Sequence, residues 1–376
     1  MSEFDFIPPS MPTPSFEHKD ENRFDEEVEA EDFGLMSDFG IMNEEVNEDL
    51  LPDNSAPSSI NIGFMGVGGA GNKMAAAFIT EGFTKTLLVN TTGKDIPDEV
   101  EEQHVALIPN ADGIGKDTRL GKSVLEGNSA VVEDALRTKL GKVDWLFVMA
   151  GGGGGTGSSV AALHEATQRY MKSVQAQGEV VYIVSWPTSQ ELLNPTIAKN
   201  ALSLLNDVSE YPHIVIDNER QLRLLRSQVG MLGLYPKANT GLAKLLGQVL
   251  KLSTEASPIQ SYDSKDLETC IGQSGRMFLG STIIRDPATS KLGSMILQNC
   301  LNVSACPSPK GKPKTGTLLL VASEDMVNDP RLSKHLEAAV SYVGGRCETL
   351  FSGIYIRKNV PGLIAILTMS GLPQGR

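Results

Sequence analysis

The chain has 376 residues, of which 40% are hydrophobic and 21% are charged, a composition typical of a folded protein with about two domains. The net charge of −13 is unevenly placed: residues 1–59 hold 17 acidic and two basic side chains and carry −15, whereas residues 60–376 carry +2. A body so close to neutral excludes a basic nucleic-acid-binding protein, so we expect no direct binding to nucleic acid.

The acidic tail, residues 1–59, is predicted to be disordered. Its Glu, Asp, Pro, Asn and Ser residues leave too little apolar surface to offset the entropy of ordering. It nevertheless contains a near-repeat, Asp-Phe-Gly-Leu-Met at residues 32–36 and Asp-Phe-Gly-Ile-Met at residues 38–42. The tail is therefore either a solvated acidic bristle or a duplicated peptide that docks into a groove of a protein partner.

Short apolar strands alternate with helical stretches from Ile60 onward. The runs at residues 145–149 and 180–184 are apolar at every position, as expected when helices cover both faces of a parallel sheet. This pattern predicts a doubly wound α/β domain over residues 60–236. The predicted strands are Ile60–Met65, Thr86–Asn90, His104–Ile108, Asp144–Met149, Glu179–Ser185 and His213–Ile216.

A helix with apolar residues at helical spacing follows from about Asn239, and residues 237–258 are predicted to form a central linking helix. Residues 259–376 then mix strands with helix, which predicts a second, smaller α+β domain. Its predicted elements are strands around Thr317–Ala322 and Leu363–Met369 and a helix over about Asp329–Val343.

The sequence also lacks the marks of a membrane or secreted protein. No uninterrupted apolar run reaches the ~18–20 residues of a membrane helix, and the N-terminus is acidic, unlike a signal peptide. The four cysteines, Cys270, Cys300, Cys306 and Cys347, form no Cys-x-x-Cys pair, so neither a zinc site nor a disulfide framework is indicated. We expect a cytoplasmic protein with no membrane insertion and no metal held by the protein alone.

The loops that follow the predicted strands carry the candidate chemistry, because ligands of an open parallel sheet collect at the carboxyl ends of its strands. Gly66-x-Gly68-x-x-Gly71 matches the dinucleotide-binding fingerprint. That fingerprint requires an acidic residue about 20 positions later to hold the ribose, whereas the next strand here ends in Asn90. A nicotinamide-dependent oxidoreductase is thus an alternative that rests on this motif alone.

The segment Gly151–Ser158, with five consecutive glycines followed by Thr-Gly-Ser, is the stronger signal. Glycines let the backbone turn its N–H groups toward an anion, and the helix that opens at Thr-Gly-Ser adds partial positive charge. A flexible linker would not stand between an apolar strand and the apolar run at residues 160–163. We therefore predict that this segment binds phosphate groups.

Three segments in this order resemble the tubulin/FtsZ superfamily of GTP-binding filament proteins. Gly151–Ser158 is similar to its signature loop, and residues 68–72 are similar to its first phosphate loop. Asp263-x-x-Asp266 resembles the catalytic loop at the end of its central helix, although this pattern by itself is typical of a helix N-cap. The similarity extends over residues 60–371 and does not include the acidic tail.

The resemblance implies GTP or GDP as the ligand, with Mg²⁺ held through phosphates and water. Backbone N–H groups of the two glycine-rich segments would face the β- and γ-phosphates, Glu191 would hold the ribose, and Asn72, Asn218 and Asn239 would recognise guanine. The residues assigned to the nucleotide are Gly68, Gly69, Ala70, Gly71, Asn72, Asn90, Gly151, Gly152, Gly153, Gly154, Gly155, Thr156, Gly157, Ser158, Glu191, Asn218 and Asn239.

The resemblance also implies that Asp263 and Asp266 are catalytic in the next subunit's site, where they would orient the attacking water. Similar proteins stack head to tail, and a contact that does not close gives a filament. The implied function is a GTPase that assembles into dynamic filaments, either to position or segregate DNA or particles or to support division.

Four positions depart from the division-type pattern, namely Ser261, Thr92, Pro195 and Asn239. They favour a divergent prokaryotic, phage-borne or plasmid-borne tubulin-like protein over the cell-division protein. Ser261 and Thr92 also leave open a structural filament that binds nucleotide without significant turnover.

Overall fold

The structure is a computed structural model that describes residues 61–109 and 111–373. The acidic tail and its two Asp-Phe-Gly repeats lie outside the described residues, so a protein partner of the tail stays a prediction. In the part of the chain that the structure describes, no helix combines the length and the apolar character needed to cross a membrane.

The described strands join into one ten-stranded sheet. In chain order they are β1 (Ile62–Val67), β2 (Thr86–Asn90), β3 (Val105–Leu107), β4 (Trp145–Gly151), β5 (Val180–Trp186), β6 (Pro212–Asp217), β7 (Gly275–Ile284), β8 (Thr315–Ala322), β9 (Thr349–Ile356) and β10 (Leu363–Leu372).

The sheet has the order β3-β2-β1-β4-β5-β6-β7-β10-β8-β9. The first seven strands pair in parallel, whereas β10 is antiparallel to both β7 and β8. The order 3-2-1-4-5-6 is that of a doubly wound fold, and it reverses direction between β1 and β4. The predicted α/β class with a later α+β part is confirmed, and the later strands extend the first sheet through the β6–β7 pair.

Helices cover both faces of this sheet. They are α1 (Gly68–Thr80), α2 (Thr118–Gly127), α3 (Ser129–Ala135), α4 (Gly155–Ser158), α5 (His164–Ser173), α6 (Pro195–Val208), α7 (Asn218–Leu225), α8 (Leu234–Leu252), α9 (Ser264–Ile271), α10 (Leu292–Val303), α11 (Glu324–Val327) and α12 (Pro330–Gly344).

Two hydrophobic cores, one on each face, explain why the central strands are apolar at every position. Phe64 of β1 faces the core that contains α1 and α8, and its ring stacks on Phe78 with 4.2 Å between ring centroids. Its neighbour Met65 faces the other core, which contains α2, α3, α5 and α6. Because successive strand residues point to opposite faces, a strand buried on both sides needs apolar side chains throughout.

The central helix differs from the prediction at both ends. It begins at Leu234, before the apolar pattern that starts near Asn239, and its first turn contains Pro236, which the start of a helix tolerates. It ends at Leu252, so the remaining residues to 258 belong to the following loop. The division of the chain at residues 236 and 258 into separate domains stays a prediction.

A buried histidine in β6 links the stability of the fold to pH. His213 is 2% exposed, and burial lowers its pKa below the ordinary value near 6.5, with Arg276 lowering it further against the hydrogen bond to the Tyr211 carbonyl. The unfolded chain therefore binds this proton more readily than the folded one. The stabilisation is complete above pH 6.5 and is lost as the pH falls below that value.

We expect the free energy of unfolding, measured in urea between pH 7.5 and 5, to fall less steeply in His213→Gln than in the wild type. His335→Gln, on α12, is the control substitution. If the free energy of unfolding falls equally steeply with pH in the wild type and in His213→Gln, other groups cause the loss of stability at low pH.

Candidate functional site

The two glycine-rich segments meet at the point where the strand order reverses, since one follows β1 and the other follows β4. A Cβ atom on Gly71 would lie 2.2 Å from the carbonyl oxygen of Met149, and one on Gly68 would lie 2.9 Å from the backbone nitrogen of Gly157. Gly68 also has a φ of +70°, a left-handed conformation that favours glycine. Two segments far apart in sequence thus form one backbone surface, and side chains would prevent their contact.

Within the second segment, some of the predicted N–H donors already have backbone partners. Gly152 donates to Ser185 at 3.0 Å, and Gly155 donates to Gly115 at 2.7 Å. The Ser158 N–H also has a partner, the Gly154 carbonyl at 3.2 Å. The remaining candidates are Gly153, which is half-buried, Gly154, which is exposed, and Thr156 and Gly157 at the start of α4, where a helix leaves N–H groups without intrahelical partners. Fewer N–H groups of Gly151–Ser158 are therefore available to an anion than the sequence predicted.

The two hydroxyls assigned to the phosphates are also engaged. Thr156 lies with its Oγ1 3.2 Å from that of Thr91, which follows β2, and the Ser158 hydroxyl donates to the Gly151 carbonyl at 3.4 Å. The Thr91–Thr156 pair joins the loop after β2 to the second glycine-rich segment.

Two side-chain amides behind these segments are buried and make fewer hydrogen bonds than they could. Asn72 in α1 donates from Nδ2 to the Val89 carbonyl at 3.3 Å, and Asn90 accepts from the Thr91 N–H at 2.9 Å. The Asn72 Oδ1 and Asn90 Nδ2 atoms are buried without a protein partner. A buried polar atom without a hydrogen bond costs about 1–3 kcal/mol, so a ligand or water that reached these atoms would be favoured.

Glu191, predicted to hold the ribose, and Asn218 and Asn239, two of the three residues predicted to recognise guanine, lie in the segments that follow β5 and β6. The Glu191 Oε2 atom accepts from the N–H and hydroxyl of Thr188, at 2.8 and 2.9 Å. Asn218 begins α7 directly after β6, and Asn239 lies in the second turn of α8. A hydrogen bond of 3.2 Å from Gln221 Nε2 to the Ala238 carbonyl holds α7 and α8 together beside these two asparagines.

Asp263 and Asp266 lie elsewhere, at the start of α9, and form a reciprocal capping box. The Asp263 Oδ1 atom accepts from the N–H groups of Lys265 and Asp266, at 2.8 and 2.9 Å, and the Asp266 Oδ2 atom accepts from the Asp263 N–H at 3.4 Å. Burial raises the pKa of Asp266, and the charge of Asp263 raises it further against this hydrogen bond. The helix-cap interpretation of Asp-x-x-Asp is thus correct for the local structure.

The Asp pair is remote from the glycine-rich edge of the same chain. Ser264 donates to the carbonyl of Ser253, just past the end of α8, and about 20 Å of helix separates that end from Asn239. At its other end α9 stops at Gly272, where a Cβ would lie 3.0 Å from the Trp145 ring at the beginning of β4. The structure gathers the predicted phosphate, ribose and guanine residues at one edge and places the Asp pair far from it.

Two further residues at the edge that carries the glycine-rich segments were missed in the sequence. The Asp95 Oδ2 atom would lie 3.2 Å from a Cβ on Gly69, so its carboxylate is beside the first glycine-rich segment. Tyr235 is 39% exposed one turn before Asn239; burial raises its pKa, and the charges of Glu191 and Glu219 raise it further. Two sequence signals could have identified them. Asp95 is an acidic residue five positions after the end of β2, and Tyr235 is an aromatic residue four positions before Asn239.

Comparisons with known proteins agree on one family. The family model described as "Tubulin/FtsZ family, GTPase domain" matches residues 61–226. The tubulin-like protein CetZ of Methanothrix thermoacetophila is 25% identical over 349 residues, which cover 84% of this chain and 89% of that protein.

Two solved structures share the fold at lower identity. The GTPγS-bound protofilament of CetZ2 from Haloferax volcanii matches with a TM-score of 0.68 and 20% identity, covering 84% of this chain and 95% of that one. The GTPγS-form protofilament of TubZ from Bacillus thuringiensis serovar israelensis matches with a TM-score of 0.69 and 18% identity, covering 84% and 89%.

Proposed function

We propose that this chain is a member of the tubulin/FtsZ superfamily and a GTPase that assembles head to tail and completes hydrolysis between subunits. The observation that carries the proposal is the separation of the two halves of the site. The edge of the sheet that carries the two glycine-rich segments, Glu191, Asn218 and Asn239 is called here the nucleotide edge. It lies at the start of α8, and Asp263 and Asp266 lie beyond the far end of that helix. Stacking copies of the chain along this direction brings the Asp pair of one copy to the nucleotide edge of the next.

GTP fits the residues gathered at the nucleotide edge. The Gly68 and Gly153–Gly154 segments present backbone to the polyphosphate, and the helix dipoles of α1 and α4 favour its negative charge. Glu191 accepts from the ribose hydroxyls, and the Asn218 and Asn239 amides can pair with the donors and acceptors of guanine. The half-exposed ring of Tyr235 offers a face on which the base can stack.

Mg²⁺ fits this edge as a partner of the phosphates. Among the described residues no three His, Cys, Asp or Glu side chains are grouped as metal ligands. The Asp95 carboxylate beside Gly69 supplies a single acidic group, and Mg²⁺ is commonly bound by one or two carboxylates together with substrate phosphates and waters. When bound, the ion would neutralise charge on the β- and γ-phosphates.

Asp263 and Asp266 can act on water without giving up their helix cap. The capping bonds use Oδ1 of Asp263 and Oδ2 of Asp266, so the second oxygen of each carboxylate can accept from a water. The raised pKa of Asp266 makes it a stronger base than an ordinary aspartate. In the assembled filament these oxygens orient the water in line with the γ-phosphate and accept its proton.

We place the filament in the cytoplasm, where it would position or segregate DNA or particles or support division. The departures at Thr92, Pro195, Ser261 and Asn239 support a divergent tubulin-like protein. Protofilaments of the CetZ2 and TubZ relatives support self-association.

The proposal predicts that GTP turnover depends on protein concentration. Phosphate release per subunit should be close to zero below a critical concentration and rise steeply above it, because each active site needs two copies. Parallel pelleting and negative-stain imaging with GTP and with GDP should show filaments only where turnover appears. Turnover that is independent of concentration would contradict catalysis between subunits.

A second candidate is a structural filament that binds GTP without significant turnover. The observation in its favour is that both aspartates already serve as helix caps, a purely structural role. The same experiment separates the two functions, since filaments that form with GTP and release no phosphate would support the second.

A further inference from the structure

The loop of residues 253–263, which ends at Asp263, runs along the outer edge of the sheet. β9 pairs with β8 on one side. On its other side the Ile354 N–H donates to the Gln260 carbonyl at 2.8 Å, and Gln260 Nε2 donates to the Ser352 hydroxyl at 2.9 Å. The Ser257 hydroxyl donates to the Ile354 carbonyl. The loop thus occupies the edge position next to β9, where a further strand would otherwise pair.

One buried hydroxyl joins three parts of this region. Tyr355 of β9 is 1% exposed, and its hydroxyl donates to the Leu252 carbonyl at 2.7 Å. The same oxygen accepts from the Tyr262 N–H at 3.0 Å. Leu252 is the last residue of α8, and Tyr262 directly precedes Asp263. The hydroxyl therefore sets the distance between the end of α8 and the start of the capping box.

Tyr262, the residue before Asp263, makes a second hydrogen bond to the sheet. Tyr262 is fully buried, and its hydroxyl accepts from Thr317 Oγ1 of β8 at 3.2 Å. Asp263 thus follows a residue that is fixed through its N–H by β9 and through its ring by β8. Burial also raises the pKa of Tyr355, so its hydroxyl stays a proton donor to Leu252 at neutral pH.

We propose that Tyr355 is a positioning residue, whose hydroxyl holds Asp263 and Asp266 at a set place relative to the end of α8. It touches neither the nucleotide nor the water and acts through the loop that it anchors. This inference rests on the proposed function, because it assigns a role in hydrolysis between subunits. Its consequence is that the catalytic loop moves together with β9.

The test is Tyr355→Phe in the full chain, which keeps the ring and removes the hydroxyl. Tyr170→Phe is the matched control, because Tyr170 is also fully buried and its hydroxyl donates to the Gly141 carbonyl at 2.7 Å, in the other core. We expect kcat per pelleted subunit to fall about tenfold in Tyr355→Phe. The KM for GTP should be unchanged, and so should the affinity for fluorescent GTP measured below the critical concentration. Tyr170→Phe should lose thermal stability but keep the wild-type kcat.

Three outcomes would overturn the assignment. Equal losses of kcat in the two variants would mean that general destabilisation is the cause, and an unchanged kcat in Tyr355→Phe would mean that the hydroxyl has no catalytic effect. Absence of assembly-dependent turnover in the wild type would remove the proposed function, and this inference with it, before any variant is measured.

A second variant covers the case in which Tyr355→Phe does not fold. Gln260→Ala removes the exposed amide that anchors the loop to Ser352 and leaves Tyr355 in place. A lower kcat at unchanged GTP affinity is again the expected result, and wild-type kcat in this variant would count against anchoring by β9.

Discussion

Asp266→Asn is expected to lower GTP turnover per assembled subunit by a factor of about 100 to 10,000, the usual contribution of a positioned general base. The amide cannot take the proton of the attacking water, but its oxygen can still accept the Asp263 N–H of the capping box. GTP affinity should be unchanged, because Asp266 is remote from the nucleotide edge of its own chain. Pelleting should therefore show normal assembly, and filaments should persist long after wild-type filaments have disassembled.

The capping box makes the choice of substitution important. An alanine at Asp263 would also remove the N-cap of α9, at a cost of about 0.5–2 kcal/mol, and an alanine at Asp266 would remove the reciprocal hydrogen bond of the capping box. Asp263→Ser keeps a capping oxygen and removes the carboxylate, so it tests the second acid in the same way. Asp329→Ser makes the same change at the N-cap of α12 and is the control for the general effect of replacing a capping aspartate by serine.

Two results would contradict the assigned role. Loss of GTP binding by unassembled Asp266→Asn would place this residue at the nucleotide of its own chain. Wild-type turnover in both Asp266→Asn and Asp263→Ser would leave the aspartates with helix capping alone.

Gly68→Ala is expected to weaken GTP binding by a factor of about 10 to 100, the equivalent of one hydrogen bond to a charged group. The added Cβ would lie 2.9 Å from the Gly157 nitrogen, so the two glycine-rich segments must separate. Their separation moves backbone donors out of reach of the phosphates. Because assembly needs bound nucleotide, the critical concentration should rise as well.

Gly82→Ala is the matched control for this substitution. Gly82 follows the other end of α1, has a φ of +87° and has no atom within 4 Å of an added Cβ. Both variants should lose about 1–2 kcal/mol of unfolding free energy from the left-handed conformation. Only Gly68→Ala should lose affinity in a fluorescent-GTP titration, and equal losses of affinity would mean that the contact with Gly157 does not shape the site.

The parts of the fold that were predicted correctly are those with a strong local pattern. β2 was predicted with its observed bounds, Thr86–Asn90, and β4, β5 and β6 within two residues at each end. β7 and β9 were not predicted. β9 lies at the edge of the sheet with several half-buried residues, so its sequence shows less of the continuous apolar pattern.

Local sequence could not decide the role of Asp-x-x-Asp. The same spacing serves a capping box and a catalytic pair, and the structure shows the first while its position at the far end of α8 supports the second. Asp95 and Tyr235 were missed for a related reason. Their importance comes from what lies beside them, Gly69 for Asp95 and Glu191 with Glu219 for Tyr235.

The sequence by itself determined most of the strands, the glycine-rich segments and the uneven charge, because apolar patterns and turns depend on residues that are neighbours in the chain. Only the tertiary structure decided that Gly68 meets Gly157, that Asp263 lies far from both, and that Tyr355 holds the loop before Asp263. Contacts of this kind join residues far apart in sequence. Strand order and close packing determine them, and no local pattern of residues encodes either.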